Sequence, residues 1–101
     1  MRLAPRVEQA IYRVAHEALI NAWRHARCGV VRAELRFERD GVTLRVQDDG
    51  VGLQLRHPDQ GVHMGIDGMR RAMTEVDGSL RVRTARPRGV VVEARVSVSS
   101  R

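Results

Sequence analysis

Lysine is absent from this chain of 101 residues, so all 18 of its basic side chains are arginine. Aromatic residues are almost absent too, since the sequence has one tyrosine, one phenylalanine and one tryptophan. The core must therefore be filled by aliphatic side chains. The single cysteine, Cys28, excludes an intramolecular disulfide and fits a reducing compartment.

Long apolar segments are also lacking. The sequence has no run of about 18 apolar residues, the length that a membrane-spanning helix needs. The N-terminal stretch "MRLAPRVEQA" has no apolar segment of the kind found in signal peptides. We therefore expect a cytoplasmic domain that makes no membrane contact itself.

The net charge is +6, and two interpretations of it stay open. A basic surface could attract an anionic partner such as a nucleotide, a nucleic acid or an acidic protein. It could equally be a solvated surface, because the arginines are spread along the chain and alternate with glutamates. Few aromatic side chains are available to stack on bases, so we expect no nucleic-acid partner.

Hydropathy periodicity predicts two helices. In residues 5–27, apolar residues recur at spacings of three and four, Pro5 suits a first helical turn, and Gly29 follows the last turn. The segment "GIDGMRRAMTEV" repeats the helical spacing and is followed by the stop signal Asp77-Gly78.

Four other segments alternate apolar and polar residues, which is typical of strands with one wet face. They are "VVRAELRFE", "VTLRVQ", "SLRVRT" and "VVVEARVSV", and Asp40-Gly41 predicts a tight hairpin between the first two. Since each strand has one apolar face, the helices must cover that face. We therefore predict a single α+β domain over residues 1–101, a two-layer α/β sandwich with a mixed, mostly antiparallel sheet and helices on one face.

Three polar residues, spaced four apart, lie on the side of the first helix that should be buried. At about 100° per residue, Asn21 and His25 fall inside the apolar sector and Glu17 falls at its edge. Either these side chains bond to nearby backbone, or they face a cavity that holds a polar ligand. In the second case Asn21 could bind Mg²⁺, His25 could donate to phosphate oxygens, and Glu17 could orient or deprotonate a neighbour.

Two glycine-containing motifs lie between the second strand and the second helix. "DDGVG" puts Asp48 at a strand end, where it can accept from an exocyclic amine, and Gly50 and Gly52 permit close approach of a ligand. "GVHMGIDGM" puts Gly65 and Gly68 at a helix start, which favours a phosphate. Each motif alone is ordinary turn chemistry.

In combination, these motifs resemble the Bergerat-fold (GHKL) ATPases, a superfamily that includes DNA gyrase, a heat-shock chaperone, mismatch-repair proteins and histidine kinases. The resemblance is closer to the sensor histidine kinases that pair with LuxR/NarL-type response regulators. "YRVAHEALINAWRHA" is similar to their N box, "VQDDGVGL" to their first glycine box, "GIDGMRRAM" to the second, and "RGVVVEARV" to their final strand. The resemblance covers roughly residues 7–98.

The resemblance implies the ATP-binding catalytic domain of a two-component sensor histidine kinase, with ATP and Mg²⁺ as cofactors. Such a domain would transfer the γ-phosphoryl group of ATP to a histidine on a separate dimerisation domain. Asn21 would bind the Mg²⁺ that bridges the phosphates, and Arg24 and His25 would contact phosphate. Asp48 would accept from the adenine amino group.

The remaining implied site residues are one acid and four glycines. Glu17 holds the position of the water-activating base in other branches of the superfamily, so it is a catalytic candidate beside Asn21. Gly50 and Gly52 would shape the adenine pocket. Gly65 and Gly68 would place backbone amides near the phosphates.

The implied partners are the dimerisation and histidine-phosphotransfer domain of the same protein and a LuxR/NarL-type response regulator downstream. The sequence has no upstream helix with an acceptor histidine, so we expect a fragment of a longer sensor kinase, membrane-anchored or not. Alone it should bind nucleotide with little transfer. The alternative is a stand-alone anti-sigma-type serine kinase of the same fold.

The sequence departs from the family pattern at three points. His63 replaces the glycine that usually begins the second glycine box, and Val90 replaces a threonine that supports the adenine network. No lysine is available to screen phosphate, so that task falls to arginine or histidine. We expect the lid, residues 53–63, to be mobile without nucleotide.

Overall fold

The computed structural model describes residues 3–26, 29–50 and 65–97, without the side chains of residues 25 and 26. Two α-helices, a π-helical turn and four strands make up the described chain. In chain order they are α1 (Pro5–Asn21), the π-helical turn (Ala22–Ala26), β1 (Val31–Glu38), β2 (Gly41–Asp48), α2 (Ile66–Glu75), β3 (Ser79–Thr84) and β4 (Val90–Ser97).

The four strands form one sheet in the order β1-β2-β4-β3, and every neighbouring pair is antiparallel. Helix α1 packs against β2 and β4, and α2 packs against α1, β3 and β4. The two helices therefore lie on one face of the sheet, and the predicted two-layer sandwich is confirmed. No helix among the described residues is both long and apolar enough to cross a membrane.

The core lies between the helix layer and the central strands. Val42, Leu44 and Val46 of β2 are buried, as their alternation predicts. Met69 and Met73 of α2 are the largest fully buried side chains among the described residues. These flexible side chains fill the space between layers that aromatic residues would occupy in other proteins.

The apolar face of β1 is a correction to the prediction that helices cover every strand. Ala33, Leu35 and Phe37 lie opposite Val46, Leu44 and Val42 of β2, so they share the helix-side face of the sheet. They are nevertheless exposed, because β1 is an edge strand and α1 packs further in, over β2 and β4. An edge position depends on the topology of the sheet, which the alternation within one strand does not encode.

The predicted hairpin between β1 and β2 is present, but Gly41 lies outside its turn. Arg39 and Asp40 form the turn, and Gly41 is the first residue of β2, opposite Glu38. A Cβ at Gly41 would lie 2.7 Å from the carbonyl oxygen of Val96. The glycine is therefore required by the close approach of β4.

Helix α1 begins at Pro5 as predicted, but a π-helical turn follows Asn21. This turn is wider than an α-helical turn, so angles drawn for an ideal helix do not apply beyond Asn21. Trp23 lies on the π-helical turn and is 87% exposed. Leu19, which the periodicity assigns to the apolar stripe, is also exposed because it lies at the margin of the buried face.

Candidate functional site

Asn21 and Asp48 are the buried polar side chains of the described residues, with 9% and 6% of their surface exposed. Asn21 is the last residue of α1, and Asp48 is the last residue of β2. Both were singled out from the sequence as binding residues. Asp48 lies where the regular hydrogen bonding of β2 ends, and Asn21 lies where α1 changes into the π-helical turn.

Asp48 faces the helix layer. It follows Val46 by two residues on β2, and Val46 is buried on the helix side of the sheet. Its Oδ1 accepts a hydrogen bond of 2.9 Å from the N–H of Gly50, which is also buried. This Asx-type contact lies directly after β2 and fixes the orientation of the carboxylate.

The neighbouring aspartate, Asp49, has a different environment. It is exposed, and its Oδ1 accepts hydrogen bonds from the N–H of Gly29 at 2.9 Å and of Val30 at 3.1 Å. Arg88 in turn donates from Nε to the carbonyl oxygen of Asp49 at 2.9 Å. Asp49 thus ties the start of β1 to the end of β2. Sequence reasoning missed this role, because it depends on contacts with Gly29 and Val30, about 20 residues earlier in the chain.

The hydrogen bond from the Val30 N–H, helped by that from Gly29 and by the charge of Arg88, lowers the pKa of Asp49 below its ordinary 3.8. A carboxylate with a lowered pKa stabilises the folded state above its unfolded pKa, and this stabilisation is lost as the pH falls through the folded pKa.

We therefore expect Asp49→Asn to lower the urea midpoint modestly near neutral pH. The gap between wild type and variant should narrow as the pH falls below the unfolded pKa of about 4, and it should close below the lowered folded pKa, where the wild-type carboxylate is also neutral. Urea unfolding followed by circular dichroism from pH 7 downward checks this. An equal gap at every pH would mean that the charge of Asp49 does not matter.

Two glycines at the start of α2 face side chains of α1. Gly65 is the N-cap, with φ of +80°, and a Cβ there would collide with Oε2 of Glu17. A Cβ at Gly68 would lie 2.7 Å from Nη2 of Arg13. The structure therefore brings Glu17, which is half-buried, to the N-terminus of α2. It also gives both glycines a packing role, and their predicted contact with phosphate stays a prediction.

Other predicted site residues are only partly described. Arg24 is exposed on the π-helical turn. Outside the described part of the structure lie the side chain of His25 and the whole of Gly52, His63 and the predicted lid, residues 53–63. The roles that the sequence predicts for them stay predictions.

Gly89, at the end of the turn between β3 and β4, packs against the backbone of Asp48. Its φ is +107°, and a Cβ there would collide with the carbonyl oxygen of Asp48. Ala85 and Gly89 close this turn through a backbone hydrogen bond of 2.9 Å. Sequence reasoning identified the turn but not its contact with the end of β2, which depends on the strand order.

A cavity of about 530 Å³ lies at this end of the sheet, between Asp48, Asp49 and the basic turn around Arg88. Of the predicted site residues, Asp48 lines it, and Asn21, Gly65 and Gly68 do not. The predicted cleft between Asn21 and Asp48 therefore stays a prediction. No group of three or more His, Cys, Asp or Glu side chains suited to a metal occurs among the described residues, and Mg²⁺ binding by Asn21 likewise stays a prediction.

Comparison with known families gives one match that spans nearly the whole chain. Residues 6–100 match the HATPase_c family, described as histidine kinase-, DNA gyrase B- and HSP90-like ATPases. The fold is similar to that of the Acinetobacter baumannii histidine kinase AdeS, with a TM-score of 0.71 over 91% of this chain and 47% of that chain. At 14% identity, this likeness concerns the fold alone.

Similar sequences occur in longer proteins. The chain is 29% identical to the oxygen sensor histidine kinase NreB of Staphylococcus carnosus, covering 92% of this chain and 27% of NreB. It is 27% identical to the signal transduction histidine-protein kinase/phosphatase DegS of Bacillus subtilis, covering 97% of this chain and 26% of DegS. The chain thus spans about a quarter of the length of these two relatives.

Proposed function

Because the chain belongs to the family of histidine kinase-, DNA gyrase B- and HSP90-like ATPases, we propose that it is the ATP-binding catalytic domain of a sensor histidine kinase. The observation that carries the proposal is the burial of Asn21 and Asp48, at the ends of α1 and β2, where the sequence motifs assign contacts to metal and adenine. The relatives are named as histidine kinases, which favours this function over an anti-sigma serine kinase.

The proposed adenine contact follows from the geometry of Asp48. Its Oδ1 is held by the Gly50 N–H, so the carboxylate has a fixed orientation and can accept from an exocyclic amine. A buried carboxylate discriminates well, because a ligand with an acceptor at that position would be repelled instead of forming a hydrogen bond. Adenine has such a donor on C6.

Asn21 is the proposed metal ligand, since a neutral amide oxygen suits Mg²⁺, which usually takes few protein ligands together with water and substrate phosphates. When bound, Mg²⁺ would neutralise charge on the phosphates. Glu17 lies against the N-cap of α2, where it can orient a group near the phosphates. The domain would act by positioning ATP for attack by a histidine elsewhere in the protein.

The proposed domain would belong to a longer protein and act together with two partners. Residues 1–101 would form one catalytic domain of a longer sensor kinase, whose dimerisation domain supplies the acceptor histidine. A LuxR/NarL-type response regulator would receive the phosphoryl group next. A domain that uses ATP in this way would act on the cytoplasmic side, where ATP is available.

Metal dependence of nucleotide binding tests the roles of Asn21 and Mg²⁺. We expect the chain to bind ADP about fivefold or more tightly with Mg²⁺ than with EDTA, because the metal and Asn21 couple through the phosphates. Asn21→Ala should remove most of this difference while retaining weak binding of ADP. Isothermal titration calorimetry with and without Mg²⁺ measures both affinities.

Gln9→Ala is the matched control, since Gln9 is an exposed amide on the same helix. It should keep the full response to Mg²⁺. If Asn21→Ala responds to Mg²⁺ as strongly as wild type, Asn21 is not the metal ligand. If the wild-type chain binds neither ADP nor an ATP analogue, the proposed function itself is wrong.

A further inference from the structure

β1 is an edge strand of the sheet that the described residues form. Within the described residues, β1 pairs with β2 on one side only. Its apolar face is also uncovered, with Leu35 47% and Phe37 51% exposed. A strand with free backbone groups and an exposed apolar face is a template on which another strand can pair.

The opposite edge, β3, is protected in two ways. Helix α2 packs against β3, and Leu80 and Val82 are half-buried. The exposed polar face of β3 has Arg81 and Arg83. If two β3 strands paired antiparallel around Val82, Arg81 of each copy would lie opposite Arg83 of the other, and the like charges would repel.

The polar face of β1 has the opposite property, because its charges alternate in sign. Along this face the residues are Arg32, Glu34, Arg36 and Glu38. If two copies pair antiparallel with Leu35 opposite Leu35, then Glu34 of each copy lies opposite Arg36 of the other, and Arg32 lies opposite Glu38. A shift of two residues in either direction would put glutamate opposite glutamate or arginine opposite arginine. The charge pattern therefore selects the register centred on Leu35 over its nearest neighbours.

We propose that two copies of this chain associate through antiparallel pairing of their β1 strands, centred on Leu35. The two four-stranded sheets become one continuous sheet, with a twofold axis perpendicular to it and all helices on the same face. Leu35 then meets Leu35 of the second copy, and Phe37 meets Ala33 of the second copy, so the exposed apolar face becomes an interface. This proposal does not depend on nucleotide binding.

The central pairs between Glu34 and Arg36 should give the interface its selectivity. Within one chain, Arg36 Nη2 lies 3.5 Å from Glu34 Oε1, which is a weak, exposed ion pair. Little is therefore lost when the two side chains pair across the interface instead. Glu38 already accepts hydrogen bonds from Arg95 and Thr43 of its own chain, so its pairing with Arg32 is shared and contributes less.

Charge reversal tests the register. Glu34→Arg makes this position and Arg36 both positive, and Arg36→Glu makes Glu34 and this position both negative. We expect each single variant to raise the dimer dissociation constant by about tenfold or more, because attraction becomes repulsion at two symmetric pairs. Sedimentation velocity over a wide range of protein concentration measures the constant.

Two combinations should restore association. The double variant Glu34→Arg/Arg36→Glu recovers opposite charges within the homodimer. An equimolar mixture of the two single variants recovers them in a heterodimer, although each variant alone is largely monomeric. Loss of folding cannot produce this rescue, since both side chains are exposed and a misfolded chain would not regain a partner on mixing.

Arg71→Glu, on the exposed surface of α2, is the control, because it makes the same change of net charge as Arg36→Glu away from β1. It should leave the dissociation constant unchanged. A wild-type chain that stays monomeric at every concentration overturns the proposal. So does a dimer that survives both single reversals, or one that the Arg71→Glu variant weakens equally.

Discussion

Asp48→Asn is expected to weaken binding of Mg-ADP by about ten- to hundredfold, the cost of losing a hydrogen bond to a buried charged group. The amide keeps the shape of the carboxylate and can still accept from the Gly50 N–H through its oxygen. Its NH₂ group then replaces the second carboxylate oxygen and faces the amino group of adenine, donor against donor. The variant should also prefer ADP over GDP less strongly, because guanine has an acceptor on C6. Isothermal titration calorimetry with both nucleotides measures these effects.

Asp49→Asn is the matched control for this variant, because it makes the same chemical change one residue further along. Asp49 is exposed and bonds to the backbone of Gly29 and Val30. We expect the Asp49→Asn variant to bind Mg-ADP with nearly wild-type affinity at neutral pH. Equal losses from the two substitutions would point to the net charge of this region, and an unchanged affinity of Asp48→Asn would remove Asp48 from the site.

Gly89→Ala should lower the free energy of unfolding more than substitution of an exposed side chain does. An alanine with φ near +107° is strained by about 1–3 kcal/mol. In addition, its Cβ would collide with the carbonyl oxygen of Asp48, so the turn between β3 and β4 must move away from the end of β2. We expect a total loss of about 3 kcal/mol or more in the free energy of unfolding. Urea denaturation followed by circular dichroism measures it.

Gly29→Ala provides the comparison, since a Cβ at Gly29 would lie 3.9 Å from Oδ2 of Asp49, an ordinary contact. Its stability should stay within about 0.5 kcal/mol of wild type, as for a substitution without strain. If Gly89→Ala were equally harmless, the turn would be free to move, and it could not support Asp48.

Local patterns predicted most of the fold because most elements have a period that matches their burial. After two buried residues at the start of β2 and three at the start of β4, both strands alternate between buried and more exposed residues, and α2 begins and ends near the predicted glycines. β1 has the same alternation as β2, yet its apolar face is exposed. The difference arises from position in the sheet, which depends on residues far along the chain and cannot be seen in β1 alone.

The candidate site was predictable to a similar degree. Asn21 is recognisable because a polar residue in an apolar helix face needs a reason, and Asp48 because it ends a strand in "DDGVG"; the structure buries both. The roles of Asp49 and Gly89 were not predictable, since they depend on contacts between separate loops. The π-helical turn after Asn21 also has no signal in the periodicity, because the residues in it suit an ordinary α-helix.

The π-helical turn has a practical consequence for spectroscopy. The chain has a single tryptophan, and that indole lies on this turn, two residues beyond Asn21, with most of its surface in solvent. The intrinsic ultraviolet fluorescence of the chain therefore comes largely from one emitter, close in sequence to the amide that we propose as the metal ligand. An optical reporter at this position is part of the natural sequence and needs no added dye.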